Sequence, residues 1–197
     1  MLAAGASTRF GANKLLAEVA GEPLVRRAAR VALEAGLSPV VVVTGHEAAL
    51  AEEALAGLGC RAVRNPDPAR GQGSSLRAGL DALPPGAEAA VVLLADMPRV
   101  APEMIAALVA RWRQGDVGLV ASRYGEAGGG TPAPPILYGR DLFAELTEPG
   151  DRPGRAVVQR HREAAAWLRW PEPLGIDLDA PDDLRRLGEL TAGGSAP

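Results

Sequence analysis

Between Ala3 and Lys14 the sequence gathers residue types suited to holding a polyphosphate. Ala3, Ala4, Gly5 and Ala6 are small, so backbone N–H groups there can approach an anion without side-chain obstruction. Ser7, Thr8, Arg9 and Lys14 add donors and positive charge within the same short stretch. Lys14 is the one lysine of the chain, against 20 arginines. A compact ammonium meets phosphate differently from a planar guanidinium, so a lysine kept amid arginine bias points to a position that needs a point charge. The spacing is neither the G-x-x-x-x-G-K-[ST] loop of phosphate-binding ATPases nor the G-x-G-x-x-G of dinucleotide folds. Further along, Asp96 directly follows the apolar run Ala89 to Ala95 and precedes Met97-Pro98. Its structural role there would be a turn-former. A carboxylate at the end of a buried parallel strand also stands where open α/β sheets bind ligands, and calls for something cationic to meet it.

Other reactive side chains carry less. His46 follows Gly45 and reads as a helix-start or solvent-facing residue, and His161 lies among Arg160, Arg162 and Glu163 on an expected helix surface. Neither forms a Ser-His-Asp ordering that would support nucleophilic catalysis. Cys60 is the only cysteine, which excludes an intramolecular disulfide and a purely cysteine-built metal site within one chain. A net charge of −3 gives no global reason to expect a nucleic-acid partner. No run approaches 18 apolar residues and the first residues lack a signal-peptide pattern, so a cytoplasmic, non-membrane protein is expected.

The elements that must position these residues alternate strand and helix, the pattern of a three-layer, Rossmann-like α/β fold with a mostly parallel sheet flanked by helices. Leu24, Ala28, Val31, Ala32 and Ala35 form a helical apolar stripe, opened by Pro23 and closed by Gly36. Val40 to Thr44 is a continuous β-branched run and reads as a strand buried on both faces. Glu47 to Ala56, Ser74 to Leu83 and Pro102 to Arg113 read as helices, and Cys60 to Arg64, Ala89 to Ala95 and Asp116 to Ala121 as strands. Glycine and proline crowd residues 125 to 135, which predicts a loop or pocket edge. Beyond it come a strand near Ile136 to Tyr138, helices near Asp141 to Leu146 and Gly154 to His161, and a strand near Ala165 to Trp170. A short helix should follow Pro181, with residues 191–197 as a frayed tail. With 197 residues and no internal repeat, a single domain spanning 1–197 is expected. Only Met1 to Ala3 precede the first glycine, fewer than the usual five or six strand residues. Several apolar residues upstream of Met1 are therefore expected to complete the first strand.

Four stretches in order resemble one family. Leu2 to Lys14 is similar to L-A-A-G-x-S-x-R-x-G-x-x-K, and Gly73-Ser74-Ser75-Leu76-Arg77-Ala78-Gly79-Leu80, Leu94-Ala95-Asp96-Met97-Pro98 and Asp177-Leu178-Asp179-Ala180-Pro181-Asp182-Asp183-Leu184 follow it. Together they resemble the nucleotidyltransferases related to molybdenum cofactor cytidylyltransferase, within the nucleotide-diphospho-sugar transferase superfamily. The resemblance implies that the first loop binds a nucleoside triphosphate, with Gly5, Arg9 and Lys14 on phosphates. It implies that Asp96 and Asp177 hold Mg²⁺, and that Gly73, Ser74 and Ser75 lie beside the nucleobase and ribose. Two carboxylates suffice for Mg²⁺, which keeps water and phosphate oxygens as its other ligands. Asp179 is well placed as an N-cap, which leaves Asp177 as the ligand, the reverse division being the alternative.

The implied reaction is CMP transfer from CTP to the phosphate of molybdopterin or its molybdenum-loaded form, with pyrophosphate released and with molybdenum hydroxylase subunits or maturation factors as transient partners. Ala3-Ala4-Gly5 is similar to the cytidylyl-transferring branch. Guanylyl transfer from GTP, transfer to another small phosphorylated acceptor, and a non-catalytic nucleotide- or cofactor-binding module are the alternatives. Gly150-Asp151-Arg152-Pro153-Gly154-Arg155 departs from the family's Gly-Asp-x-Gly-Ala-Arg, and Gly130-Thr131-Pro132-Ala133-Pro134-Pro135 from its simpler Gly-x-Pro. Both departures bear on the acceptor side.

Overall fold

The β-branched run Val40 to Thr44 forms the middle of the amino-terminal half of the sheet, and all five of its residues are buried. A computed structural model describes residues 1–5, 13–126, 129–148, 152–175 and 183. Strand β1 (Leu2–Ala3) is followed by a two-residue hairpin, β2 (Glu18–Val19) and β3 (Glu22–Pro23), and by helix α1 (Leu24–Glu34). Then come β4 (Val40–Thr44), α2 (Ala48–Ala54), β5 (Cys60–Arg64), α3 (Gln72–Asp81), β6 (Ala89–Val92) and α4 (Pro102–Trp112). The rest comprises β7 (Leu119–Tyr124), β8 (Thr131–Gly139), α5 (Phe143–Leu146), α6 (Pro153–Arg160) and β9 (Ala166–Trp170).

β1 pairs parallel with β4 and β4 parallel with β5, while β6, β8, β7 and β9 form the other half in that order. Leu2 bridges the two halves, donating its N–H to Leu93 O at 2.8 Å and accepting from Ala95 N at 3.2 Å. The resulting order is β5-β4-β1-β6-β8-β7-β9, with β8 antiparallel to both of its neighbours and the other pairings parallel. This is the expected three-layer α/β architecture with a largely parallel sheet flanked by helices.

Period-two alternation sorts the strand side chains into two cores. Val120 of β7 and Leu137 of β8 pack with Leu108 of α4 on one face. Leu119, Ala121, Ile136 and Tyr138 pack with Leu76, Leu146, Val157 and Val158 on the other. In the amino-terminal half, Val40 and Val42 join Val25, Ala29 and Ala32 of α1 and Ile105 of α4. Every one of these residues is at most 6% exposed, so each valine, leucine or isoleucine buried this way contributes roughly 1.5–3 kcal/mol against conformational entropy.

Two segments differ from expectation. The stretch expected to be loop over 125 to 135 enters a nine-residue strand, because β8 begins at Thr131. Its prolines are tolerated for a topological reason: β6 pairs with β8 only from Ile136 to Gly139, so Pro132, Pro134 and Pro135 have no β6 partner, and of the three only Pro132 is in register with β7. A register shift between Ala121 and Arg123 accommodates them, and Ser122 Oγ and Tyr124 Oη donate to Pro135 O and Pro134 O at 2.7 and 2.6 Å. The hairpin β2–β3 was absent from the expected elements. Its turn places Ala20 and Gly21 at φ 53° and 78°, the two left-handed positions a tight hairpin requires. The helix expected after Pro181 and the 191–197 tail lie outside the described residues.

Candidate active site

A cleft of about 780 Å³ opens at the carboxyl ends of β1 and β6. The chain reaches it from both directions. β1 delivers Ala3, Ala4 and Gly5, the turn after β6 delivers Asp96, and the antiparallel course of β8 brings its first residues, Thr131 to Pro134, to the same edge. Ser75 of α3 and Arg152 and Arg155 at the start of α6 complete the walls that matter for binding.

Small residues at the end of β1 are required by packing as well as by any ligand. A Cβ on Gly45, just past β4, would come within 2.8 Å of both Ala4 Cβ and Ala4 O. Beyond them, Asn13 Oδ1 accepts from Leu15 N at 3.2 Å and so opens a short 3₁₀ turn that starts at Lys14. That turn aims Lys14 across the cleft, where Nζ donates to Asp96 Oδ2 at 2.6 Å. The two side chains are 14% and 19% exposed, so this is a largely sheltered ion pair spanning 82 residues of sequence. Its attraction is stronger than that of a surface pair, and each charge would be costly to leave alone there. Asp96 sits in the turn after β6, which Arg27 of α1 ties down by donating its Nε to Pro98 O at 3.1 Å. Asn13 Nδ2, next to Lys14 in sequence, is buried and has no hydrogen-bond partner among the described residues.

The serine stretch divides in two. Ser75 is buried and lines the cleft. Ser74 Oγ donates to Gly71 O at 2.8 Å and lies 3.1 Å from Asp67 O, which fixes the start of α3, and Gly73 is buried in the same turn without reaching the cleft. Both serines are held by a residue that was not among the expected site residues, Asn65 of the run Asn65-Pro66-Asp67-Pro68. Asn65, 5% exposed, donates through Nδ2 to Ser74 Oγ at 2.8 Å and Ser75 Oγ at 3.0 Å, and accepts at Oδ1 from Asp67 N. The signal available was its position, immediately after the strand Cys60–Arg64, the same kind of strand end that marked Asp96.

Two tyrosines brace the walls built from β8 and the start of α6. Tyr138 Oη donates to Gly154 O at 3.1 Å and so locates the beginning of α6, while burial raises the pKa of its phenol and of Tyr124's. Both stay protonated donors. Gly175 lies against the Tyr124 ring so closely that a Cβ would meet its Cγ at 2.5 Å, and Gly175 also lines the cleft.

The structure thus gathers Ala3, Ala4, Gly5, Lys14, Ser75 and Asp96 at one cleft. Gly73 and Ser74 support it from behind, and Ala6, Ser7, Arg9, Asp177 and Asp179 lie outside the described residues. His161 is remote in role: its Nε2 is 2.9 Å from Glu145 Oε1 on the outer helices. Among the described residues no group of three or more His, Cys, Asp or Glu converges as a metal site. Asp96 alone still fits a hard divalent cation, because its carboxylate faces a cleft wide enough for phosphate and water oxygens to supply the remaining ligands.

Comparison with known proteins agrees with this fold. A family model described as the MobA-like NTP transferase domain matches residues 1–165. The chain belongs to that family. Among solved structures, Rv0371c from Mycobacterium tuberculosis H37Rv superposes with a TM-score of 0.82 at 28% identity, covering 95% of each chain. The same protein in complex with manganese superposes at 0.78. Among curated proteins, the bifunctional protein GlmU of Anaeromyxobacter sp. (strain K) is 54% identical over 57 residues, which are 28% of this chain and 12% of that one. A 3-deoxy-manno-octulosonate cytidylyltransferase of Methylobacterium sp. (strain 4-46) is 40% identical over 106 residues, 53% of this chain and 42% of that one. The chain therefore spans less than half the length of these curated relatives. For this MobA-like domain, no helix among the described residues is long and apolar enough to cross a membrane.

Proposed function

We propose that this protein is a nucleotidyltransferase that moves CMP from CTP to the phosphate of molybdopterin or its molybdenum-loaded form. The observation that carries the reading is the sheltered Lys14–Asp96 pair at the carboxyl edge of the sheet, facing the 780 Å³ cleft, in a chain of the NTP transferase family. An acceptor phosphate oxygen attacks the α-phosphorus, a new P–O bond forms, and the bond to the β-phosphate oxygen breaks to release pyrophosphate. A phosphate nucleophile is ionised near pH 7, so no general base is required. The work is alignment and charge neutralisation.

The chain's own groups divide that work. Backbone N–H groups at Ala4 and Gly5, with Ala6, Ser7 and Arg9, meet the triphosphate. Lys14 donates to a phosphate oxygen in place of Asp96. Ser75 borders the ribose and base, and Arg152 and Arg155 face the anionic acceptor from the opposite wall. Asp96, with Asp177, would hold Mg²⁺, which when bound screens phosphate charge and polarises the α-phosphoryl group. The manganese complex of Rv0371c and the likeness to a cytidylyltransferase support a divalent ion and a cytidine donor.

Pyrophosphate release with Mg²⁺, molybdopterin and each of CTP, GTP, ATP and UTP tests the reading. Selective release with CTP is expected. Selectivity for GTP would move the assignment to guanylyl transfer, and nucleotide binding with no release from any of the four would make the protein a binding module.

A further inference from the structure

The polar ties of Asn65 settle the direction of every hydrogen bond around it. Its backbone N–H donates to Thr44 O at 2.8 Å, which carries the pairing of β4 with β5 one residue past the end of β5. Its side-chain Oδ1 lies 3.0 Å from the backbone N of Asp67. A backbone N–H can only donate, so the side-chain atom facing it is the oxygen, and Nδ2 is left to face the serines. Nδ2 carries two protons and has two oxygens in reach, Ser74 Oγ at 2.8 Å and Ser75 Oγ at 3.0 Å. Each serine oxygen therefore accepts from Asn65, and each hydroxyl proton must point elsewhere.

The two serines place that proton differently. Ser74 Oγ donates to Gly71 O at 2.8 Å, within its own helical turn. Ser75 has no acceptor for its proton among the described residues, although it is only 5% exposed and lines the cleft. A buried hydroxyl whose donor is unmet is costly, and the cleft is the side from which a partner can arrive. What fits there is a lone pair.

We propose that Asn65 is a positioning residue: by donating to Ser75 Oγ it makes the Ser75 hydroxyl a dedicated hydrogen-bond donor to the sugar–base end of the bound nucleotide. The inference rests on the nucleotidyltransferase reading above and gives that end of the site a polarity. The ligand atom opposite Ser75 is an acceptor, whether a ribose oxygen, a base carbonyl or a ring nitrogen, and Asn65 itself touches no ligand. Asn65→Asp keeps the bond from Asp67 N but reverses the others, because a carboxylate only accepts. The Ser75 proton is then drawn back from the cleft.

The test is a double-mutant cycle on binding, with the parent, Asn65→Asp, Ser75→Ala and the double variant titrated calorimetrically with CTP and, separately, with tripolyphosphate, all in Mg²⁺. Each single substitution is expected to weaken CTP about tenfold, the order of magnitude of one neutral hydrogen bond. The double variant should bind CTP no more weakly than either single variant, and all four proteins should bind tripolyphosphate alike. Penalties that add in the double variant would overturn the proposal, and so would an equal loss with tripolyphosphate, since either means that Asn65 shapes the site at large rather than acting through the Ser75 hydroxyl. Unchanged CTP affinity in Ser75→Ala, which introduces no buried charge, would overturn it as well. A parent protein that binds neither ligand would sink the nucleotide reading itself, whereas a parent that binds both with additive penalties sinks only the role given to Asn65.

Discussion

Lys14 and Asp96 hold each other in a pair that neither could leave cheaply, and that pairing sets what their replacement should do. Lys14→Ala is expected to lower kcat about 100-fold, the usual cost of about 3 kcal/mol for losing one preorganised donor, with KM for the nucleotide changed far less. Steady-state pyrophosphate release checks this, and an effect confined to KM would reassign Lys14 to simple binding. Asp96→Asn should abolish turnover at any Mg²⁺ concentration while far-UV circular dichroism stays unchanged, and chelation of divalent ions should do the same to the parent protein. Asn65 is a third test at this scale. Asn65→Ala strips both serine hydroxyls of a buried donor and should cost about 1–3 kcal/mol in denaturant unfolding.

At the level of elements, the readings that held were those where local pattern and burial coincide. Val40 to Thr44 and Cys60 to Arg64 run as strands between the bounds their composition suggests, and Pro23 and Gly36 bracket α1. Ile136 to Tyr138 was legible as strand, but the proline-rich first part of β8 was not, because its prolines are permitted only by a missing neighbour, a fact of sheet topology that no window of sequence contains. The same antiparallel strand is what brings Thr131 to Pro134 to the cleft, so that wall of the site was harder to read than the one built from the end of β1. Of the serine stretch only Ser75 faces the cleft, since Ser74 is consumed in fixing the helix start. Arg152 and Arg155 belong to this scale, carried by the first turn of α6. Replacing both with Ala is expected to raise KM for the phosphorylated acceptor at least tenfold and leave KM for the nucleotide within about twofold, an order-of-magnitude reading of two lost charge-assisted contacts. Initial-rate kinetics with each substrate varied in turn would show the split.

Taken as a whole, the molecule is a seven-strand sheet whose two halves meet at Leu2, with a nucleotide-sized cleft at one end of that seam and an apolar cavity at the other. The fold class was legible because alternating strands and helices leave few ways to bury their faces. The seam was not, since it depends on which strands become neighbours. It also sets a pH dependence. The Met1 ammonium titrates near 5 in the folded protein against 8.0 ordinarily, so the unfolded chain binds the extra proton between those values. In the 197-residue chain this group's contribution to stability should be fully present above about pH 8 and be lost as pH drops towards 5, which Tm measured across that range will show. The account's central claim, that a cation and a triphosphate meet between Lys14 and Asp96, is tested most directly by a crystal structure with Mn²⁺ and a non-hydrolysable CTP analogue. The manganese anomalous signal is predicted at the Asp96 carboxylate, with Lys14 Nζ on a phosphate oxygen. Manganese or triphosphate seated away from this pair, with the Lys14–Asp96 bond intact, would contradict it.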